Sequence, residues 1–292
     1  MVNALPRRLG QAVWPVMVTA LVTLAVYVSG GRLFLGAIPQ FQSDMEALLS
    51  QRMPGRVSVE RITGSMDGFS PRLRLTELTL RNKANQEWIH LPEVSLRIDP
   101  WQSVISGALR FDELTLIAPT IEWAAPGSEG APELPIGAQG LLNSFTRLQI
   151  RDAEVTLGPV RNTSDKALPA LAIDMDLIRD RSLRTVTVSV QHEGQTVFSA
   201  AGSGTGNPFE FSDFSGELHG QLTGKGMSIA SQWFSQDVAA TGSSDFWFSV
   251  AKGKPTLTLK GQIEALSVRT GESIDLDQVE FQVEAMGPLE TA

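Results

Sequence analysis

The chain has 292 residues, 42% of them hydrophobic, so it is long enough to bury a substantial core. Its 32 acidic residues outnumber 24 basic ones, and no basic stripe interleaves with aromatics; this balance speaks against nucleic acid, whose phosphates need Lys and Arg. Cysteine is absent, which excludes disulfides, thiolate metal sites and thiol nucleophiles, and suits an oxidising compartment.

No charged residue occurs from Leu9 to Gly31. As a helix that stretch spans roughly 34 Å, enough for a hydrocarbon core of about 30 Å. Arg7 and Arg8 precede it and place the N-terminus in the cytoplasm by the positive-inside rule. Trp14 and Tyr27 mark its two ends, where aromatic belts form, with Leu21 and Leu24 between them. Residues 1–36 are therefore expected to be a cytoplasmic tip and a retained single-pass anchor. The rival is a cleaved signal peptide, with Ser29-Gly30-Gly31 resembling a cleavage site, but signal cores usually span only 7–15 apolar residues. Arg7-Arg8 lacks the rest of a twin-arginine signal.

Residues 37–55 carry Ile38, Phe41, Met45, Leu48 and Leu49 at helical spacing, and Pro54-Gly55 ends the run. This predicts an amphipathic connecting helix, at the membrane surface or capping a sheet.

From Val57 onward the sequence reads as strand after strand. One pattern recurs: apolar-x-apolar-x-acid-apolar-x-apolar. Four strict copies occur, as Leu73-Leu75-Glu77-Leu78-Leu80, Ile89-Leu91-Glu93-Val94-Leu96, Leu109-Phe111-Glu113-Leu114-Leu116 and Leu148-Ile150-Asp152-Ala153-Val155. Composition alone predicts roughly one. Looser copies run from Phe209 to Gly216 and from Ile274 to Phe281. Alternate strand residues face opposite sides, so each copy changes parity at its acid. A β-bulge there keeps both apolar pairs on one face and leaves the acid on the wet side. The competing reading is a short turn at the acid joining two small strands.

The connections fit this frame. Residues 82–86 form a polar hairpin loop. Asp99-Pro100 reads as an N-cap with proline at the first helical position, and Gly107 as the stop. Residues 56–123 form one β region and residues 124–140, rich in Pro and Gly, a loop; 141–292 continue the sheet. Within it, Glu193-Gly194 turns a hairpin, residues 228–235 suggest a short helix, and Pro255 to Val268 reads as strand. The fold class is thus mainly β: an N-terminal transmembrane helix, then a curled antiparallel sheet with a few short helices. Such a sheet must cover its leucine-rich face by curling, by meeting another sheet or by accepting an apolar ligand. A closed sandwich fits the same periodicity.

Catalytic chemistry is missing. His90, His192 and His219 are scattered without metal-ligand spacing, and there is no G-x-S-x-G elbow. Gly202-Ser203-Gly204-Thr205-Gly206 is followed by Asn207-Pro208, so it reads as a flexible hairpin loop rather than a phosphate cradle. Gly224-Lys225-Gly226 lacks the rest of a P-loop, and Asn162-Thr163-Ser164 is a chance sequon in a polar loop. We expect no enzyme, no metal and no cofactor.

Gly64-Ser65-Met66-Asp67-Gly68-Phe69-Ser70-Pro71-Arg72-Leu73, the preceding anchor, and the run from Leu96 to Leu116 resemble the start of the YhdP subgroup of AsmA-like proteins. Gly64, Gly68, Pro71 and Leu73 match the family pattern G-x-W-x-G-x-x-P-x-L; Met66 stands where Trp is usual. The similarity covers about Arg8 to Pro119. It implies an inner-membrane anchor in a Gram-negative cell, with the bulk in the periplasm. It also implies a U-shaped sheet, like the chorein-type bridges, whose groove carries phospholipid acyl chains towards the outer membrane. Leu73, Leu75, Leu78, Leu80, Leu91, Val94, Leu96, Ile98, Phe111, Leu114, Leu116, Ile150 and Val155 are the groove candidates. Expected partners are the inner membrane and phospholipid, with outer-membrane or periplasmic proteins as further candidates. Family members are longer, so the chain is expected to be a portion of a longer protein. The alternative is a non-transporting envelope scaffold: a closed sandwich with protein partners.

Overall fold

The computed structural model describes residues 5–43, 46, 56–81, 87–107, 110–123, 145–157, 170–206, 214–233, 237–251, 254–270 and 272–286. Helix α1 runs from Leu5 to Ala37, and a 3-10 turn, Ile38–Phe41, follows it. Among the described residues one stretch, Met17–Gln40, is long and apolar enough to cross a membrane. Met45, Leu48 and Leu49 of the expected connecting helix lie outside the described residues.

The rest is one 13-stranded sheet. Its strands are β1 (Arg56–Asp67), β2 (Ser70–Arg81), β3 (Glu87–Ile98), β4 (Phe111–Ile117), β5 (Thr120–Trp123), β6 (Phe145–Leu157) and β7 (Leu171–Asp180). Then come β8 (Leu183–His192), β9 (Gln195–Thr205), β10 (Ser215–Thr223), β11 (Asp237–Ala251), β12 (Lys254–Thr270) and β13 (Glu272–Met286). Helix α2 (Pro100–Ser106) joins β3 to β4, and α3 (Gly224–Trp233) joins β10 to β11. Neighbours in space follow chain order, except that β5 pairs β3 and β6. The pairings are antiparallel but for two: β4 and β5 both lie parallel to β6. Parallel neighbours need a long return connection, and residues 124–144 supply it. That Pro/Gly-rich segment itself lies outside the described residues.

The strands run unbroken through the repeated acid, so the turn reading does not hold; at Asp152 the register shifts as a bulge requires, while at Glu77 it does not. Leu75 and Leu78, on either side of Glu77, are 3% and 8% exposed, hence on one face despite opposite parity. The extra residue takes a form the sequence did not show. Glu77 and Asp152 adopt φ of 54° and 52°, and so does Ala118 at 50°. The register sets them in line. Glu77 lies beside Pro92, since Leu78 pairs Leu91 and Thr76 pairs Glu93. Ala118 lies beside Asp152, with Ala118 N donating to Arg151 O and Glu154 N to Pro119 O, each at 2.8 Å. Because neighbouring strands make the same irregularity at the same height, β1, β2 and the middle of β3 keep their register through it. Between β6 and β7 the register does shift, at Ile150/Ala153. Pro92, in a strand paired on both sides, is tolerated because it stands where the ladder is already interrupted.

The polar face carries ion pairs, Arg74 Nε to Glu93 at 3.1 Å and Arg97 to Asp112 and Glu113, and His90 Nε2 lies 3.1 Å from the Glu77 carboxylate. The apolar face has no second sheet over it among the described residues. Ile62 is nonetheless fully buried, within a cluster of Val57, Val59, Leu75, Leu114 and Leu148 closed by Leu35 and Ile38 of α1 and its 3-10 turn. The end of α1 and its 3-10 turn supply cover over β1.

The α2 connection is as its sequence predicts. The Asp99 side chain accepts from Gln102 N at 2.9 Å, and Gly107 ends the helix at φ 64°. One reading is corrected. Gly202 to Thr205 is not a hairpin loop but the end of β9. A Cβ at Gly202 would stand 2.4 Å from Glu217 O, so β9 and β10 approach too closely there for any side chain, which is why a strand uses glycine.

Candidate functional site: the apolar face of the sheet

Cross-strand partners share a face, so the register can be followed across the sheet as rows. One row starts at Gly64 and passes through Leu73, Leu96, Leu114, Leu148 and Leu177. It continues through Val186, Gly202, Leu218 and Phe248 to Leu257. No polar residue interrupts it. Parallel rows join Leu75, Val94, Leu116, Ile150, Met175 and Val188, and Leu80 with Ile89, Ile121 and Val155. Every sequence-predicted groove residue falls on this one face. Leu75, Leu78, Leu80, Val94, Leu114 and Val155 are buried; Leu73, Leu91, Leu96, Ile98, Phe111, Leu116 and Ile150 are partly exposed.

The open space lies further along than the repeats suggested. A cavity of about 360 Å³ is lined by Leu148, Met175, Leu177, Val186, Leu218 and Phe248, with Phe214 over Gly204 and Gly216. That volume falls within the roughly 300–1,000 Å³ of small-ligand sites. Arg179 and Arg184, a cross-strand pair, add cationic groups to its lining. Burial, with Arg184 and Arg110 nearby, pulls the Arg179 guanidinium below its ordinary pKa. The arrangement can hold an apolar chain. Among the described residues no cluster of His, Asp and Glu could hold a metal ion. His219 stacks on Trp247 at 4.9 Å between ring centroids, and His192 Nδ1 lies 3.1 Å from Ala170 O.

Val186, Leu218 and Phe248 escaped sequence reasoning because their strands lack the acid repeat. The available signal was plain alternation: Val186, Val188 and Val190, then Phe246, Phe248 and Val250.

Of the remaining residues singled out in the sequence, Tyr27, Gly64, Gly68 and Pro71 meet at the first hairpin. Arg7 and Arg8 fall in the first turns of α1; Trp14, Leu21, Leu24 and Tyr27 are exposed along it. Three contacts one helical turn apart then fasten α1 to β1 and its turn. Tyr27 Oη donates to Phe69 O at 3.1 Å. A Cβ at Gly31 would stand 3.1 Å from Met66 Sδ, and a Cβ at Gly64 would stand 2.8 Å from both Leu35 Cβ and Leu35 O. Further on, the Gln42 side chain donates to Glu60 O at 3.2 Å and Glu46 accepts from Val59 N at 2.9 Å, which occupies the free edge of β1. Gly64 therefore admits the helix, Gly68 makes the turn at φ 61°, and Pro71 lies opposite Met66.

A family model described as YhdP protein matches residues 1–287. The chain is 24% identical over 173 residues to the intermembrane phospholipid transporter YhdP of Escherichia coli (strain K12), a match covering 58% of this chain and 14% of that protein. No solved structure matches. With the family model spanning nearly the whole chain, from anchor helix to last described strand, the chain belongs to the YhdP family.

Proposed function

We propose that this chain is the membrane-anchored part of a phospholipid conduit between inner and outer membranes, and that acyl chains occupy the apolar face of its sheet. The observation that supports this most is the uninterrupted apolar row from Gly64 to Leu257 running past an apolar-walled cavity of about 360 Å³. The relative's name adds phospholipid as cargo. Arg7 and Arg8 orient α1 with its N-terminus in the cytoplasm, so the sheet projects into the periplasm. The relative is named as a transporter, and carriage of a lipid along an apolar face requires no bond chemistry of this chain.

A photo-crosslinking side chain introduced into the full chain in native membranes tests the reading. At Leu218, inside the cavity, it should capture phospholipid; at Thr187, on the opposite face, it should not. A scaffold reading has one observation in its favour: the apolar face of the first strands is covered, with Val59, Ile62 and Leu75 buried in one cluster with Leu35 and Ile38. If the scaffold reading holds, Leu218 captures no lipid, and Leu218→Asp destabilises the chain as severely as Leu75→Asp, because both charges enter a dry core. The conduit reading expects Leu218→Asp to stay folded with its charge solvated in the open cavity, while lipid capture from neighbouring positions is lost.

A further inference from the structure

Four large apolar side chains stand in solvent around one end of the first strands. Phe69, in the β1–β2 turn, is 57% exposed, and Trp101, Val104 and Ile105 of α2 are 72%, 78% and 64% exposed. Their direction follows from helix geometry. At about 100° per residue, Trp101, Val104 and Ile105 fall within roughly a 100° arc, and Ser103 lies opposite. Ser103 holds α2 to the sheet: its Oγ accepts from Arg110 N at 2.9 Å and donates to Asp99 O at 2.6 Å. The apolar arc therefore faces away from the strands. No residue of α2 is buried.

The register places this arc. Arg72, near the start of β2, pairs Arg97, near the end of β3, so α2 leaves the sheet at the same end as the Gly68-Phe69 turn. Tyr27 of α1 is hydrogen-bonded to that turn. Moving towards the N-terminus from Tyr27, α1 travels away from the sheet, and the part from Leu5 to Tyr27 is about 34 Å long. The apolar arc and the emerging anchor thus share one level.

We infer that Phe69, Trp101, Val104 and Ile105 form a second membrane contact, inserting among the lipids of the leaflet on the sheet's side of the bilayer that α1 crosses. This rests on α1 being a membrane span. Continuity with the anchor selects the bilayer as occupant over a protein. An indole at the interface with aliphatic neighbours below it is the composition such insertion uses. The consequence is orientation: two attachments, one spanning and one interfacial, fix the tilt of the first strands, whereas a lone helix leaves the sheet free to swing.

The chain has no cysteine, so single cysteines introduced by substitution can be labelled uniquely. The full chain carrying Val104→Cys, labelled with an environment-sensitive fluorophore, is reconstituted in phosphatidylethanolamine–phosphatidylglycerol vesicles with nitroxide-bearing acyl chains. The probe should shift to the blue and lose emission to the nitroxides, while a probe at Gln195→Cys, at the far end of the strands, should do neither. A probe at Val22→Cys, within α1, reports the span separately. Quenching at Val22 without quenching at Val104 overturns the inference and leaves the anchor intact; no quenching at Val22 overturns the anchor reading itself. A blue shift at Val104 that the nitroxides do not quench means that protein covers α2, and also overturns it. Replacing Phe69, Trp101 and Ile105 by serine should abolish the Val104 response and spare that at Val22.

Discussion

Substituting Gly64 tests how the anchor is joined to the sheet. A Cβ there meets Leu35 Cβ and Leu35 O at 2.8 Å and Leu35 Cδ2 at 3.0 Å. The backbone oxygen cannot rotate aside, so α1 must move. If it shifts just enough to admit a methyl group, the cost is that of overpacking, about 1–3 kcal/mol. If it is levered off, Leu35 and Ile38, now 4% and 7% exposed, return to solvent. At about 1.5–3 kcal/mol for each side chain, the loss is then about 3–6 kcal/mol. Gly64→Ala belongs to the first case and Gly64→Val to the second. For a chain of this size 1 kcal/mol moves the melting temperature by roughly 2–4 °C, so the two variants separate in a thermal melt of the detergent-solubilised protein. A cross-link supplies the geometry: Gly31→Cys with Met66→Cys should form a disulfide, since a Cβ at Gly31 lies 3.9 Å from Met66 Cγ, the position that a cysteine sulfur would take. Gly64→Val should abolish that disulfide. Unchanged melting with undiminished cross-linking would show that α1 does not rest on β1 as described.

Two further outcomes follow from the crease and the ion pairs. At Glu77, with φ of 54° and its carboxylate on the wet face, Glu77→Gln should cost no more than about 0.5 kcal/mol. Glu77→Val should cost about 1–2 kcal/mol, because a β-branched residue tolerates positive φ poorly; urea unfolding of the pair measures the difference. At Asp176, the hydrogen bond from Arg147, aided by Gln149, holds the carboxyl below the usual range. Its folded pKa lies under its unfolded one, so its stabilisation is complete above roughly pH 4 and is lost as pH falls through the lowered value. Asp176→Asn should therefore cost under about 1 kcal/mol at pH 7, since the pair is partly exposed, and should flatten the acid limb of stability against pH.

The sheet was legible in the sequence because its signals are local. Leu73, Leu75, Leu78 and Leu80 announce their face through spacing, and Asp99, Pro100 and Gly107 announce α2 through capping chemistry. What depends on register was hidden. Nothing near Ala118 predicts its positive φ; it follows from Asp152 on the next strand. The parallel pairing of β4 with β6 was equally unreadable, because a Pro/Gly-rich segment reveals length but not where it returns. Gly202 and Gly204 misled because low β propensity resembles a loop when the reason for glycine, a close approach of β10, lies on another strand. Gly64 could be read as a motif position, but only Leu35, distant in sequence, explains it. The groove candidates share one face by their pairing, while the cavity among β6 to β11 depends on the register of strands that carry no acid repeat.

The alignment of Glu77, Pro92, Ala118 and Asp152 has a consequence for growth. From β2 to β6 the successive elements each carry a bend at one height. Curvature of this kind needs no closing contact between first and last strands, unlike that of a barrel, where strand number and shear set the diameter. Where neighbouring strands share the irregularity, the profile repeats from one strand to the next. Adding a strand that repeats the irregularity lengthens the trough without widening it, and a strand lacking it would flatten the profile at that point alone. Length and bore can thus be tuned separately, by different residues.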